Sequence, residues 1–162
     1  MLKTVLVRLS LLALLALVAA VSLRCDEMET VYETDVVMAD SSGNFEIPAR
    51  GYVHFEGTVT SEMMDVPNPN WKHVFLDMDV YISNPDGIPL CIYIMDENNF
   101  FSYQAGGIFT ALASDTNRLS PADNVWVTTP GNYYWVVDNR NDPAARHAKV
   151  YCTIGHYAQV PK

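Results

Sequence analysis

The local signatures of catalysis are what this sequence most conspicuously lacks. It holds no Gly-x-Ser-x-Gly elbow, no Gly-x-x-x-x-Gly-Lys phosphate loop and no His-Glu-x-x-His pair. These are the patterns by which a short stretch of chain announces a nucleophile, a nucleotide site or a catalytic zinc. Basic residues are scarce as well: ten Lys and Arg stand against nineteen Asp and Glu, for a formal charge of −9. Such a surface repels phosphate backbones and anionic headgroups, which excludes nucleic acid as a partner. The four histidines, His54, His73, His147 and His156, have no ligand-like spacing, so none is assigned to a metal. There is no internal repeat and no low-complexity tract.

Only one long hydrophobic run is present, the uncharged stretch from Leu9 to Leu23 behind Lys3 and Arg8. Fifteen helical residues span roughly 22 Å, short of a hydrocarbon core of about 30 Å. A charged start, a short apolar middle and the small residues Val18-Ala19-Ala20 or Ala20-Val21-Ser22 read as a secretory signal peptide over 1–24. The alternative is an uncleaved membrane anchor, with Arg8 and Arg24 reaching the interface. Either way the remainder is expected outside the cytoplasm, secreted, periplasmic or tethered facing outward, with membrane contact through this segment alone. Cleavage after Ala20 would remove two positive charges and take the net charge from −9 to −11.

Cysteine is sparse and odd in number, at Cys25, Cys91 and Cys152. Cys25 stands just past the apolar run, the position of a lipidated cysteine, but Leu23-Arg24 replaces the small residues expected before it. The other two then form a candidate disulfide, which an oxidising compartment would permit. Strand phase argues against it. In LCIYIM the aliphatic face is Leu90, Ile92 and Ile94, with Cys91, Tyr93 and Met95 opposite. In AKVYCTIGHY it is Ala148, Val150, Cys152 and Ile154, opposite Lys149, Tyr151, Thr153 and Tyr157. Cys152 then points inward and Cys91 outward, and a disulfide needs closely approaching Cβ atoms.

What the chain does have is short apolar runs between strong turns. Strands are expected at 31–38, 44–47, 51–59, 73–83, 90–95, 108–113, 124–128, 133–137 and 148–157. The breaks are Ser41-Ser42-Gly43, Pro67-Asn68-Pro69-Asn70, Asn84-Pro85-Asp86-Gly87, Pro130-Gly131 and Asn141-Asp142-Pro143. This pattern predicts an all-β antiparallel sandwich, jelly-roll-like with about eight strands. It would occupy 41–162, behind an acidic tether and candidate first strand at 25–40. One short helix is expected at 96–105, capped by Asp96, favoured by early acids and stopped by Gly106-Gly107.

Three segments carry a resemblance: GYVHFEGTVTSE, CIYIMDENNFFSYQAG, and PGNYYWVVDNR followed by AKVYCTIGHY. Together, over roughly 51–157, they resemble the GOLD-like (Golgi-dynamics-type) β-sandwich domains of exported bacterial and archaeal proteins. Tyr93, Ile94, Met95, Asp96, Glu97, Asn99 and Phe100 match one family stretch. Pro130, Gly131, Tyr133, Tyr134, Val136, Asp138 and Asn139 match the other. The resemblance implies a sandwich whose eukaryotic relatives bind partners or cargo rather than catalyse. Cys91 and the basic loop from Arg140 to Arg146 depart from the family pattern. DMDVYISNPDG is more faintly similar to pre-peptidase C-terminal domains.

Asp138-Asn139 and Pro130-Gly131 are read as structural turns, because Asp and Asn bond the backbone of a following turn and tolerate its dihedrals. Asp77, Asp79, Asp86, Asp96 and Glu97 are the candidate acids for a calcium site, which wants six to eight oxygens. Trp71, Trp126, Trp135 and nine tyrosines exceed what one core centre needs, and a Tyr/Trp stripe on a wet sheet face would bind a partner or glycan. The functional expectation is a non-catalytic exported module without a cofactor that engages a protein partner, an envelope assembly or itself. The alternative is a calcium-dependent carbohydrate binder, or a small hydrolase, using the acids of the 77–97 region.

Overall fold

A computed structural model describes residues 28–39, 45–65, 73–82, 89–116 and 125–161. The 1–24 segment, Cys25, Trp71, Asp86 and the turns at 41–44, 66–70 and 84–87 lie outside the described residues. The chain divides into two compact units, Tyr32–Ala158 and a smaller one of Met1–Val31 with Gln159–Lys162. The described part of the smaller unit consists of strand ends alone. Both helices and the hydrophobic core belong to the larger unit.

The described chain is all-β, with two antiparallel sheets and two short helices. Its strands are β1 (Met28–Ala39), β2 (Phe45–Ile47), β3 (Tyr52–Val59), β4 (Val74–Ile82), β5 (Cys91–Asp96), β6 (Ala113–Thr116), β7 (Val125–Val127), β8 (Gly131–Asp138) and β9 (Arg146–Pro161). The helices are α1 (Ser61–Met64) and α2 (Glu97–Gln104). The first sheet has the order β1-β9-β4-β7, with β2 also on β9; the second has the order β3-β8-β5-β6. Ala148 is the register partner of both Phe45 and Ile82, so β2 and β4 flank β9 on opposite sides. The pairs β2·β9, β3·β8, β4·β7 and β5·β6 are nested, and they alternate between the two sheets. A long antiparallel hairpin rolled up on itself has this pairing.

Alternation along the strands builds the core between the sheets. Val74, Leu76, Met78 and Val80 on β4, with Ala148, Val150, Cys152 and Ile154 on β9, face Ile92, Ile94, Trp135 and Val137 of the second sheet. β8 is different, because every residue from Tyr133 to Asp138 is buried. Its near-continuous apolar run fits a strand covered on both faces. The second cover is α2, whose Phe100 and Tyr103 pack with Met95, Tyr134 and Val136 in a separate cluster. Phe100 stacks on Tyr134 with centroids 4.0 Å apart. Met95, expected on a wet face, is therefore buried.

The helix begins and ends as its sequence implies. Asp96 is the N-cap, and its carboxylate accepts from the Asn99 N–H at 2.9 Å. At the far end the Gly106 N–H donates to the Tyr103 carbonyl and the Gly107 N–H to the Ser102 carbonyl. Gly106 has φ +71°, which completes a Schellman motif. This ending displaces the expected strand at 108–113. Ile108 is exposed and the strand starts only at Ala113, after the Leu112 N–H has reached the Ile94 carbonyl. The 25–40 segment, expected as tether or first strand, supplies β1.

Gly57 of β3 is a close-approach position in the core. A Cβ there would lie 2.6 Å from the Trp135 ring and 3.0 Å from Val37. Gly57→Ala is expected to cost about 1–3 kcal/mol through forced repacking, read as a melting temperature several degrees below wild type.

Candidate functional site

The first candidate, Asp138-Asn139, lies where two connections pass between the sheets. The turn after β2 (Pro48–Gly51) carries the chain from the first sheet to the second, and the loop after β8 carries it back. The Asn139 side-chain amide donates to the Pro48 carbonyl at 3.0 Å and the Ala144 carbonyl at 2.8 Å. Its backbone N–H donates to Gly51 O, and the Arg50 N–H donates to Asp142 O. Asp142 accepts from the Ala144 N–H and from Arg146 Nη1, the latter at 3.2 Å between nearly buried partners. Asn139 is thus a clamp between the two crossovers.

Asp138 has a neighbouring task. Its carboxylate accepts from the Arg140 N–H and Nε, and pairs with Arg140 Nη2 at 2.8 Å. The guanidinium then lies 4.1 Å from the Tyr103 ring centroid, a cation–π contact. The basic loop from Arg140 to Arg146 is therefore anchored to α2 through Arg140. The Tyr103 hydroxyl is turned toward Asp138 without completing a hydrogen bond. Burial, then the Asp138 charge, pushes the Tyr103 phenol far above its ordinary value. Burial and the adjacent Cys91 push the Tyr93 phenol up to about 12.

The remaining candidates do not converge. Cys91 and Cys152 are free thiols on different sheets, so the disulfide considered from sequence is not formed. Burial pushes the Cys152 thiol well up, which keeps it protonated. Asp96 caps α2, and Glu97 accepts from Asn132 Nδ2 at 3.2 Å, both on the second sheet's side. Asp77 and Asp79 stand on β4 of the first sheet. Among the described residues no three His, Cys, Asp or Glu side chains are grouped to hold a metal. Pro130 and Gly131 open β8, with Gly131 at φ +153° and the Tyr133 hydroxyl donating to the Thr129 carbonyl at 2.7 Å.

The outer face of the first sheet does bring chemistry together. Phe75 is the register partner of Trp126 on one side and Gly155 on the other. Gly155 has no side chain to interrupt the row: a Cβ there would strike the Phe75 ring and the Tyr32 hydroxyl. Tyr32 of β1 therefore reaches across β9 and lies nearly parallel to Phe75, 8° apart with centroids at 5.8 Å. Trp126 meets Phe75 at 5.5 Å, and Tyr157 meets Tyr32 at 5.5 Å, both edge-on. Tyr32 is 50% exposed and Trp126 37%.

Further along the same face, Asp77 and Asp79 follow Phe75 on β4, paired with Thr153 and Tyr151 of β9. A second aromatic pair, Tyr81 and Tyr151, closes the strip at 6.1 Å. Asp79, Tyr81, Lys149 and Tyr151 line an open depression of about 420 Å³. Partial burial raises the Asp77 carboxyl above its ordinary value, although the Met78 N–H donates to it, and Asp79 adds repulsion. The strand phase of β4 and β9 made their outward residues legible. The meeting of Tyr32, Phe75 and Trp126 was not, because it depends on strand order and register.

Asn139→Ala removes the donor to two backbone carbonyls and is expected to cost about 0.5–1.5 kcal/mol for each bond lost. The melting temperature falls by several degrees while the aromatic face is unaffected. Asn139→Asp, which replaces the donor by an acceptor, also melts lower. The raised phenols predict an alkaline limit. A folded pKa above the unfolded value of 10 contributes stability that is complete below pH 10 and lost as pH rises through about 12. Denaturant melts across that window should show wild type losing stability, with a shallower loss in Tyr93→Phe.

No family model, no curated protein and no solved structure matches this chain, so its functional reading rests on the geometry above.

Proposed function

We propose that this chain is a non-catalytic binding module of an exported protein, secreted or held at a membrane by its N-terminal segment. Its working surface is the outer face of the first sheet. The observation that carries this is the row Trp126–Phe75–Tyr32, rings aligned across four strands, exposed at its two ends and kept continuous by Gly155. Side chains that serve only the core do not need such exposure, and aromatic residues gathered on one exposed face mark an interaction surface.

The nested strand pairing supports a jelly-roll reading, an architecture that recurs in lectin and capsid domains. That support is analogy, since one fold hosts many functions. The segments resembling GOLD-like domains have structural work here. Tyr93 to Phe100 form the β5–α2 junction, and Pro130 to Asn139 form β8 and the crossover clamp. The binding surface is on the other sheet. For the alternative hydrolase or calcium reading, the described acids at 77–79 and 96–97 belong to different sheets, which gives that reading less support than the aromatic row has.

The test is retention by the insoluble envelope and extracellular fraction of the source cells, in a co-sedimentation assay. Wild type and Phe101→Ser, altered at an exposed ring on α2, are expected to co-sediment. Tyr32→Ser/Trp126→Ser is expected to stay in the supernatant with an unchanged circular dichroism spectrum. Equal retention of all three proteins would refute the assignment of the working face.

A further inference from the structure

We infer that β3 is a dimerisation edge, pairing antiparallel with β3 of a second copy so that the two second sheets join across a two-fold axis. β3 is the terminal strand of its sheet, and among the described residues β8 is its one strand partner. The Asn139 N–H donates to the Gly51 carbonyl at the start of that ladder. Hydrogen bonding alternates along an antiparallel pair, so Val53, Phe55, Gly57 and Val59 turn their peptide groups to β8. Tyr52, His54, Glu56 and Thr58 turn theirs to the open side. That edge lacks the usual protections against pairing: β3 has no lysine and no proline, and its register with β8 runs without a bulge. His54, Glu56 and Thr58 are exposed.

A second copy is the occupant because the edge is complementary to itself. Pairing about Phe55 sets His54 opposite Glu56 of the second copy, twice by symmetry, and Tyr52 opposite Thr58. All four outward peptide groups of each strand are then paired, in about eight hydrogen bonds between chains. An imidazole N–H faces a carboxylate, a favourable cross-strand pair. The neighbouring hydrogen-bonded registers set Glu56 against Glu56 or His54 against His54 and leave peptide groups unpaired. On the core side the partly buried Phe55 meets its own copy at the axis, and Gly57 leaves room opposite Val53. The other terminal strands offer no such match. β6 and β7 span only four and three residues. β1 carries Glu29, Glu33 and Asp35 without a basic residue, so self-pairing there gathers like charges. A dimer through β3 leaves the outer face of the first sheet open in each copy, which joins two aromatic rows in one bivalent particle.

The experiment is sedimentation velocity on the full chain in a mild detergent, over a range of protein concentrations. Wild type is expected to sediment as a dimer. Glu56→Lys sets a lysine opposite His54 and is expected to raise the dimer dissociation constant about tenfold or more, with an unchanged circular dichroism spectrum. Phe55→Cys and Val53→Cys read the register. Position 55 faces its own copy in a close, non-hydrogen-bonded pair, whereas position 53 faces Gly57. With oxidised glutathione, Phe55→Cys is expected to form covalent dimers well above the wild-type level, and Val53→Cys none above it. A wild-type chain that is monomeric at every concentration overturns the inference. A dimer that Glu56→Lys leaves intact also overturns it, and is the result expected if the N-terminal segment holds the copies together. Equal crosslinking through positions 53 and 55 overturns the register and the inference with it.

Discussion

Two crossovers between sheets, side by side and tied through one asparagine, hold this fold in register. The β2–β3 turn leaves the first sheet where the β8–β9 loop re-enters it, and the Asn139 amide bonds a carbonyl from each. Peptide groups that cross between sheets lose their ladder partners, and buried backbone groups must find others. Asn139 supplies two donors at that point, and Asp142 gathers the loop's own N–H and the Arg146 guanidinium. Nested pairing makes the position sensitive. If β9 shifts against β2, β8 must shift against β3, and a shift by one residue turns every core side chain outward. The clamp therefore contributes to specificity of register as well as to stability.

The two sheets dispose of their outer faces in different ways. On the second, α2 lies over Met95, Tyr134 and Val136, and the Arg140 guanidinium seals its edge against Tyr103. Tyrosines in that setting are structural, and their raised pKa values follow from burial beside an anion. On the first sheet the outward residues of β4 and β9 are left partly open, and they include rings and carboxylates together. Asp77 is a group whose ionisation the fold disfavours through burial and Asp79.

The contrast between these faces was only half visible in advance. Alternation in FLDMDVY and AKVYCTIGHY separated core from surface on β4 and β9, because side-chain direction has period two whatever the partner strand. The helix over 97–104 was equally legible, since an Asp cap and a glycine pair act within a few residues. Met95 was misplaced for a physical reason: a wet face and a face covered by a helix have the same alternation. The strand expected at 108–113 failed because the Schellman ending of α2 leads into irregular chain, delaying β6 to Ala113.

By itself, then, the sequence determined the all-β class, the strand phases of the long strands and the capped helix over 97–104. All of these are local consequences of periodicity, capping and turn chemistry. Tertiary structure alone decided which strands are neighbours, and with that which carboxylates are apart and which rings meet. Asp77 and Asp96 are close in sequence and lie on different sheets, while Tyr32, Phe75 and Trp126 are far apart in sequence and form one row. Strand pairing is a long-range choice made by the whole core. No window of the chain contains it, and the missing side chain of Gly155 acquires meaning only once Phe75 lies opposite it.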